Sequence, residues 1–245
     1  MEIRVSKLYK SPLRQIYAAA FSAIEFTLIS LILFSALPKT ELCYSAIVVA
    51  FLFAIPFLNA DLKDNAFILA ALFFTLIADF FLVIEYELTH GYAFQCLGVS
   101  AFFVVQFFYF LYLEKTGRKE NFLRNVLIRL ALSLVFAAVS VVVLKEKTNY
   151  LSIVSVVYYT WLLINLVMAF SHGKKTLVLA VGLVFFALCD LWVGLQNANG
   201  VFFTIPESGF IHSIVFPPFN AVWLCYGLSQ TFIVLHMILK SIRSK

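Results

Sequence analysis

The chain has 245 residues, 63% of them apolar and 13% charged, whereas a water-soluble domain is about 25% charged, so a soluble globular fold is excluded. Nine Gly and six Pro beside 28 Phe also exclude a collagen-like, linker-rich or disordered chain. The net charge of +5 sits in short separated loops and not in one stripe, so it points to membrane-lipid headgroups and not to nucleic acid.

A spanning helix needs about 20 apolar residues, and the sequence predicts eight, which leaves a single integral membrane domain over 1–245. The first, 17–37, follows Arg4, Lys7, Lys10 and Arg14 and exceeds the roughly 7–15 apolar residues of a secretory signal, so it is retained; it carries Glu25, with Ser22 about one turn before it. The second, 42–58, is the shortest and holds Pro56. The third, 66–84, contains Asp79, with Thr75 (i−4) and Tyr86 (i+7) expected on its face. In the fourth, 93–113, Gln95, Gln106 and Tyr109 form a polar stripe, while Phe102, Phe103, Phe107 and Phe108 read as lipid-facing or packing surface. The fifth is 126–144, and the sixth, 150–170, aligns Ser155, Tyr158, Trp161 and Asn165. The seventh, 176–196, contains Asp190, with Gly194 and Asn197 expected on its face. The segment 197–220 is long for a connection and apolar, broken by Pro206, Gly209 and Pro217-Pro218, so it is expected in the membrane interface, as a gate or as packing. The eighth, 221–239, aligns Trp223, Tyr226 and Gln230. The fold class is all-α, a polytopic bundle of eight transmembrane helices in a cell or inner membrane.

Of the 18 Lys and Arg, 15 fall in segments on the side of the N-terminus and 3 on the opposite side. Under the positive-inside rule both termini are expected in the cytoplasm.

Three carboxylates, Glu25, Asp79 and Asp190, lie inside apolar runs, where an ionised acid costs at least about 2.5–3.5 kcal/mol. Asp79 and Asp190 both fall about 20 Å from the cytoplasmic edge, at about 1.5 Å per residue, so they are able to face one cavity. Their surroundings, FFTLIAD and VFFALCD, match at an offset of 111 residues, and each is followed one span later by a glutamine near a tyrosine, Gln106 with Tyr109 and Gln230 with Tyr226. Four spans per unit keep the orientation, which suggests two parallel four-helix repeats, 17–113 and 126–239. Neither the dispersed His90, His172, His212 and His236 nor the four cysteines show metal-ligand spacing, and no lysine lies inside the last two spans for a retinal Schiff base, so no metal and no cofactor is expected. Acid–base chemistry by carboxylates remains. A proton-coupled transporter using the same acids, and a non-catalytic packing protein, fit these residues as well.

Over nearly the whole chain these residues resemble one family. LFFTLIADFFLV in the third span, F-x-x-x-Q-x-x-Y in the fourth (Phe102, Gln106, Tyr109), the run from Tyr158 to Met168 in the sixth, FFALCDLWVGL in the seventh and YGLSQ in the eighth are similar to the YhhN-type lysoplasmalogenases. Ala78, Cys189 and Gln106 stand where that family usually has Gly, Ser and His. The resemblance implies hydrolysis of the vinyl ether of a lysoplasmalogen, a lysophospholipid, to a fatty aldehyde and a glycerophospho-alcohol. It implies Asp79 and Asp190 as the catalytic pair and carries over Tyr226 and Gln230; with Gln106, which replaces the family's His, these are expected to orient water or the glycerol hydroxyl. Tyr109, Tyr158, Asn165 and Glu25 join them as candidate substrate-binding residues. One neutral acid and one carboxylate suffice for a reaction passing through an oxocarbenium ion, as in glycosidases.

Overall fold

A computed structural model describes residues 11–35, 39–58, 65–117 and 122–243. Arg4, Lys7, Lys10, Lys63, Arg118, Lys119 and Lys245, used in the charge reading, and the end of the first expected span lie outside them. Among the described residues, eight helices are long and apolar enough to cross a membrane. Their α-helical parts are α1 (Ser11–Phe34), α2 (Lys39–Ala54), α3 (Asn65–Asp79), α4 (Tyr92–Thr116), α5 (Phe122–Leu144), α6 (Tyr150–Ser171), α7 (Leu177–Ala198) and α8 (Ala221–Arg243), the second and third spans reaching full length as Lys39–Phe57 and Asn65–Glu85. Pro56 ends α2 in a single 3₁₀ turn, as expected of a residue that has no N–H to continue the ladder. A short helix, Phe210–Val215, interrupts the connection from α7 to α8.

Seven helices form a ring in which neighbours run α1, α2, α3, α4, α6, α7, α8 and back to α1, with α8 also packed on α2. α5 lies outside the ring against α6, and its outward side chains, among them Leu134 and Val142, are exposed. It is pinned by a buried cation. The Arg129 guanidinium sits 4.4 Å from the Phe110 ring of α4 and 5.2 Å from the Trp161 ring of α6, a geometry that attracts a cation to the aromatic face, and it bonds the Met168 sulfur at 2.6 Å.

Two hydrogen bonds of one kind recur in the two halves of the bundle, their donors 115 residues apart. Tyr44 on α2 donates to the Leu76 carbonyl on α3 at 3.4 Å, and Tyr159 on α6 donates to the Ala187 carbonyl on α7 at 3.3 Å, the two acceptors being 111 residues apart. Between α4 and α8 the offset is 124, that of Gln106 and Gln230. Two pairs at that same offset touch one another: the Phe102 and Tyr226 rings at 6.3 Å, and Tyr112 Oη with His236 Nε2 at 2.5 Å. α4 and α8 therefore face each other in register, their side chains meeting across the interior of the ring.

Candidate active site

Asp79 is the last residue of α3 before the helix widens into a π-helical stretch, Phe80–Glu85. Each wide turn holds more residues than an α turn, so the face of Asp79 is not continued at i+7, and π turns are frequent at functional sites. For this reason the expectation for Tyr86 fails: its ring packs on His90 at 5.7 Å. Thr75, one turn before Asp79, turns its hydroxyl back to the Ala71 carbonyl at 3.0 Å. Gly98 of α4 lets the widened stretch come close. A Cβ there would lie 2.4 Å from Leu82 Cγ and 3.0 Å from the Ala78 carbonyl oxygen.

Each aspartate receives one phenol. Tyr226 of α8 donates to Asp79 Oδ2 at 2.5 Å, and Tyr158 of α6 donates to Asp190 Oδ2. One aromatic wall joins the two pairs: Phe102 stacks on Tyr158 at 5.9 Å and meets Tyr226 edge-on at 6.3 Å, while Phe186 lies 5.5 Å from Phe102 and 5.6 Å from Tyr226. The two carboxyl groups are within electrostatic reach of each other. Asp79 is only 3% exposed, whereas Asp190 is half-buried. One turn beyond Asp190, away from the chain termini, a Cβ on Gly194 would have nothing within 4 Å. Gly194 is itself exposed, so α7 presents open surface one turn from Asp190 on the side of the bundle opposite the termini.

The other candidates line the interior without bonding to either carboxylate. Asn165 Nδ2 donates to Gln106 Oε1 at 3.0 Å and to its carbonyl at 2.9 Å. Tyr109, Gln230 and Glu25 are fully buried, and their side-chain polar atoms have no hydrogen-bond partner. Gln230 lies one turn from Tyr226, toward the termini, on the same helix. Glu25 is on α1 at the α1–α8 contact, where Gly227 admits Ile29: a Cβ on that glycine would meet Ile29 Cγ1 at 2.6 Å. Phe102, expected only as lipid-facing or packing surface, and Phe186, quoted only within FFALCDLWVGL, are the residues of this wall that the sequence does not assign to the site. The available signal was the 124-residue offset that makes Phe102 the counterpart of Tyr226.

A chain of eight apolar helices with two Asp–Tyr pairs in its core narrows the choice of family, and the comparison decides it: a sequence model of the YhhN family matches residues 40–237. The chain belongs to the YhhN family. Comparisons with curated proteins and with solved structures return no match. The YhhN stretch runs from α2 into α8, so it holds both aspartates and both phenols, while Glu25 of α1 lies outside it. Among the described residues of this YhhN protein, no group of three His, Cys, Asp or Glu is placed to hold a metal ion.

Proposed function

We propose that this YhhN protein is a membrane-embedded hydrolase that cleaves the vinyl ether bond of lysoplasmalogens by carboxylate acid–base catalysis. The observation that carries this reading is the pair of aspartates, each held by a tyrosine, on a shared aromatic wall. The YhhN resemblance supports the substrate class.

The chemistry needs two groups. A carboxylic acid gives its proton to the vinylic carbon that does not carry the oxygen, forming a C–H bond and leaving an oxocarbenium ion. Water attacks the carbon next to oxygen while a carboxylate takes the water's proton, and the hemiacetal collapses to aldehyde and alcohol. Asp190, on the open side, is assigned the water, and the enclosed Asp79 is assigned the proton to carbon. Each phenol occupies one carboxyl oxygen and leaves the other for the reaction. The apolar wall of Phe102 and Phe186 suits a flat, delocalised cation, since aromatic faces attract positive charge.

Hydrolysis in deuterium oxide tests the mechanism. Protonation at carbon predicts one deuterium on the carbon next to the aldehyde carbonyl, read by mass spectrometry after trapping. Aldehyde released without that deuterium would contradict it.

A further inference from the structure

On the side opposite the termini, the long segment 197–220 contains no Lys or Arg, while the turn 145–149 contains two. That turn is tightly built. Lys145 adopts a left-handed backbone, φ 49°, and a 3₁₀ turn follows it, with Thr148 N–H donating to the Lys145 carbonyl at 3.1 Å. The Asn149 side chain then caps α6 by accepting from Ser152 N–H at 2.9 Å, and the Ser152 hydroxyl accepts from Asn149 N–H at 3.1 Å, a reciprocal cap that satisfies two backbone N–H groups at the start of the helix. The result carries Lys147 across to the segment after α7. Its ammonium donates to the Val201 carbonyl and stands 6.0 Å from the Phe202 ring centroid. Two of its three N–H bonds remain for an anion.

The height of Lys147 above the site decides what anion fits. Tyr158 is eight residues into α6 from Tyr150, and Asp190 is eight residues before Ala198 at the end of α7, so the Tyr158–Asp190 pair lies about 12 Å below this face, at about 1.5 Å per residue. In an extended lysoplasmalogen, roughly eight bonds separate a phosphate oxygen from the vinylic carbon that takes the proton, about 10 Å at about 1.2 Å per bond. A charge-assisted N–H···O contact adds about 2.8 Å. The two lengths agree. Between them lie the exposed surface at Gly194 and the half-buried Asp190, and the neighbouring segment exposes the apolar Phe203 and Phe210.

We infer that Lys147 is a phosphate-binding residue that positions a single-chain phospholipid, taken from the leaflet on this side, with its chain linkage at Asp190 and Asp79. The inference rests on the hydrolase reading above and adds to it the recognition group and the side of access.

The test measures binding, in nanodiscs, of a saturated ether lysophospholipid and of the matching alkylglycerol, which lacks the phosphate; neither is cleavable by vinyl ether hydrolysis. Lys147→Gln is expected to weaken lysophospholipid binding about tenfold, the loss of one charged hydrogen bond, to leave alkylglycerol binding unchanged, and to be rescued by Lys147→Arg. The control Lys145→Gln is expected to bind both as wild type. Unchanged lysophospholipid affinity in Lys147→Gln, equal weakening for both ligands, an equal effect of Lys145→Gln, or no saturable binding to wild type would each overturn the inference. Wild-type protein that binds as stated yet releases no aldehyde from a vinyl ether would overturn the hydrolase reading alone.

Discussion

Tyr226 and Tyr158 each have one hydroxyl proton, and each directs it to a carboxylate. Removing the Tyr226 hydroxyl leaves Asp79 Oδ2 without that donor in a site 3% exposed, where an unmatched polar atom costs about 1–3 kcal/mol; a typical interhelical bond in a membrane is worth about 0.6 kcal/mol. Tyr226→Phe is therefore expected to lower the melting temperature more than Tyr158→Phe, whose partner is half-buried. Both are expected to reduce turnover by roughly 10–100-fold, less than the about 10²–10⁴ of the acid or base itself. Thermal unfolding and aldehyde release on the two variants check this; equal, wild-type turnover in both would remove the phenols from the account. The aspartates were legible in the sequence because charge inside an apolar run is expensive and has few bland explanations. Tyr158 was legible as polar but its partner was not, since the rotation of α6 is set by packing. Phe102 was legible only as one member of a motif among 28 phenylalanines, and an apolar ring carries no sign in sequence of whether it faces a site or a packing surface.

At the scale of the element, the site depends on α3 losing its regular period just after Asp79. The spacing rule that placed Tyr86 beside Asp79 assumes 3.6 residues per turn, and no side-chain pattern in FFLVIE announces the wider turns of Phe80–Glu85. Gly98 is where that irregularity meets α4. In Gly98→Ala the new methyl would press on Leu82 and on the Ala78 carbonyl next to Asp79, and overpacking of this kind costs about 1–3 kcal/mol. The expected outcome is a melting temperature lower by several degrees, together with reduced activity. Gly194→Ala, with nothing within 4 Å of its Cβ, is expected to keep wild-type stability. Equal melting temperatures for wild type and Gly98→Ala would mean that α3 and α4 pack less tightly here than described.

For the molecule as a whole, eight spans and their order were readable from hydropathy alone, because lipid requires helices of a fixed length. The position of α5 outside the ring was not, since a lipid-facing helix and a buried one are equally apolar in sequence. We propose that 17–113 and 126–239 are parallel repeats. The supporting contacts are the matched Tyr44 and Tyr159 bonds and the two self-matching contacts between α4 and α8. Repeats that each hold four helices are expected to reassemble: two chains split between α4 and α5 and co-expressed in one membrane should co-purify and retain activity. Halves that are stable but do not associate would contradict it. The repeats are unequal where the chemistry is placed. Phe102 stands opposite Tyr226, and so the two aspartates draw their phenols from α8 and from α6, one enclosed and one open.

The most direct test of the whole account is aldehyde release by purified protein from a lysoplasmalogen, beside its saturated ether analogue, for wild type and for folded Asp79→Asn and Asp190→Asn variants. The account predicts aldehyde from the vinyl ether alone and a loss of about 10²–10⁴ in each variant, the usual contribution of a general acid or base. Wild-type turnover in either variant, or no aldehyde from the wild-type protein, would contradict it.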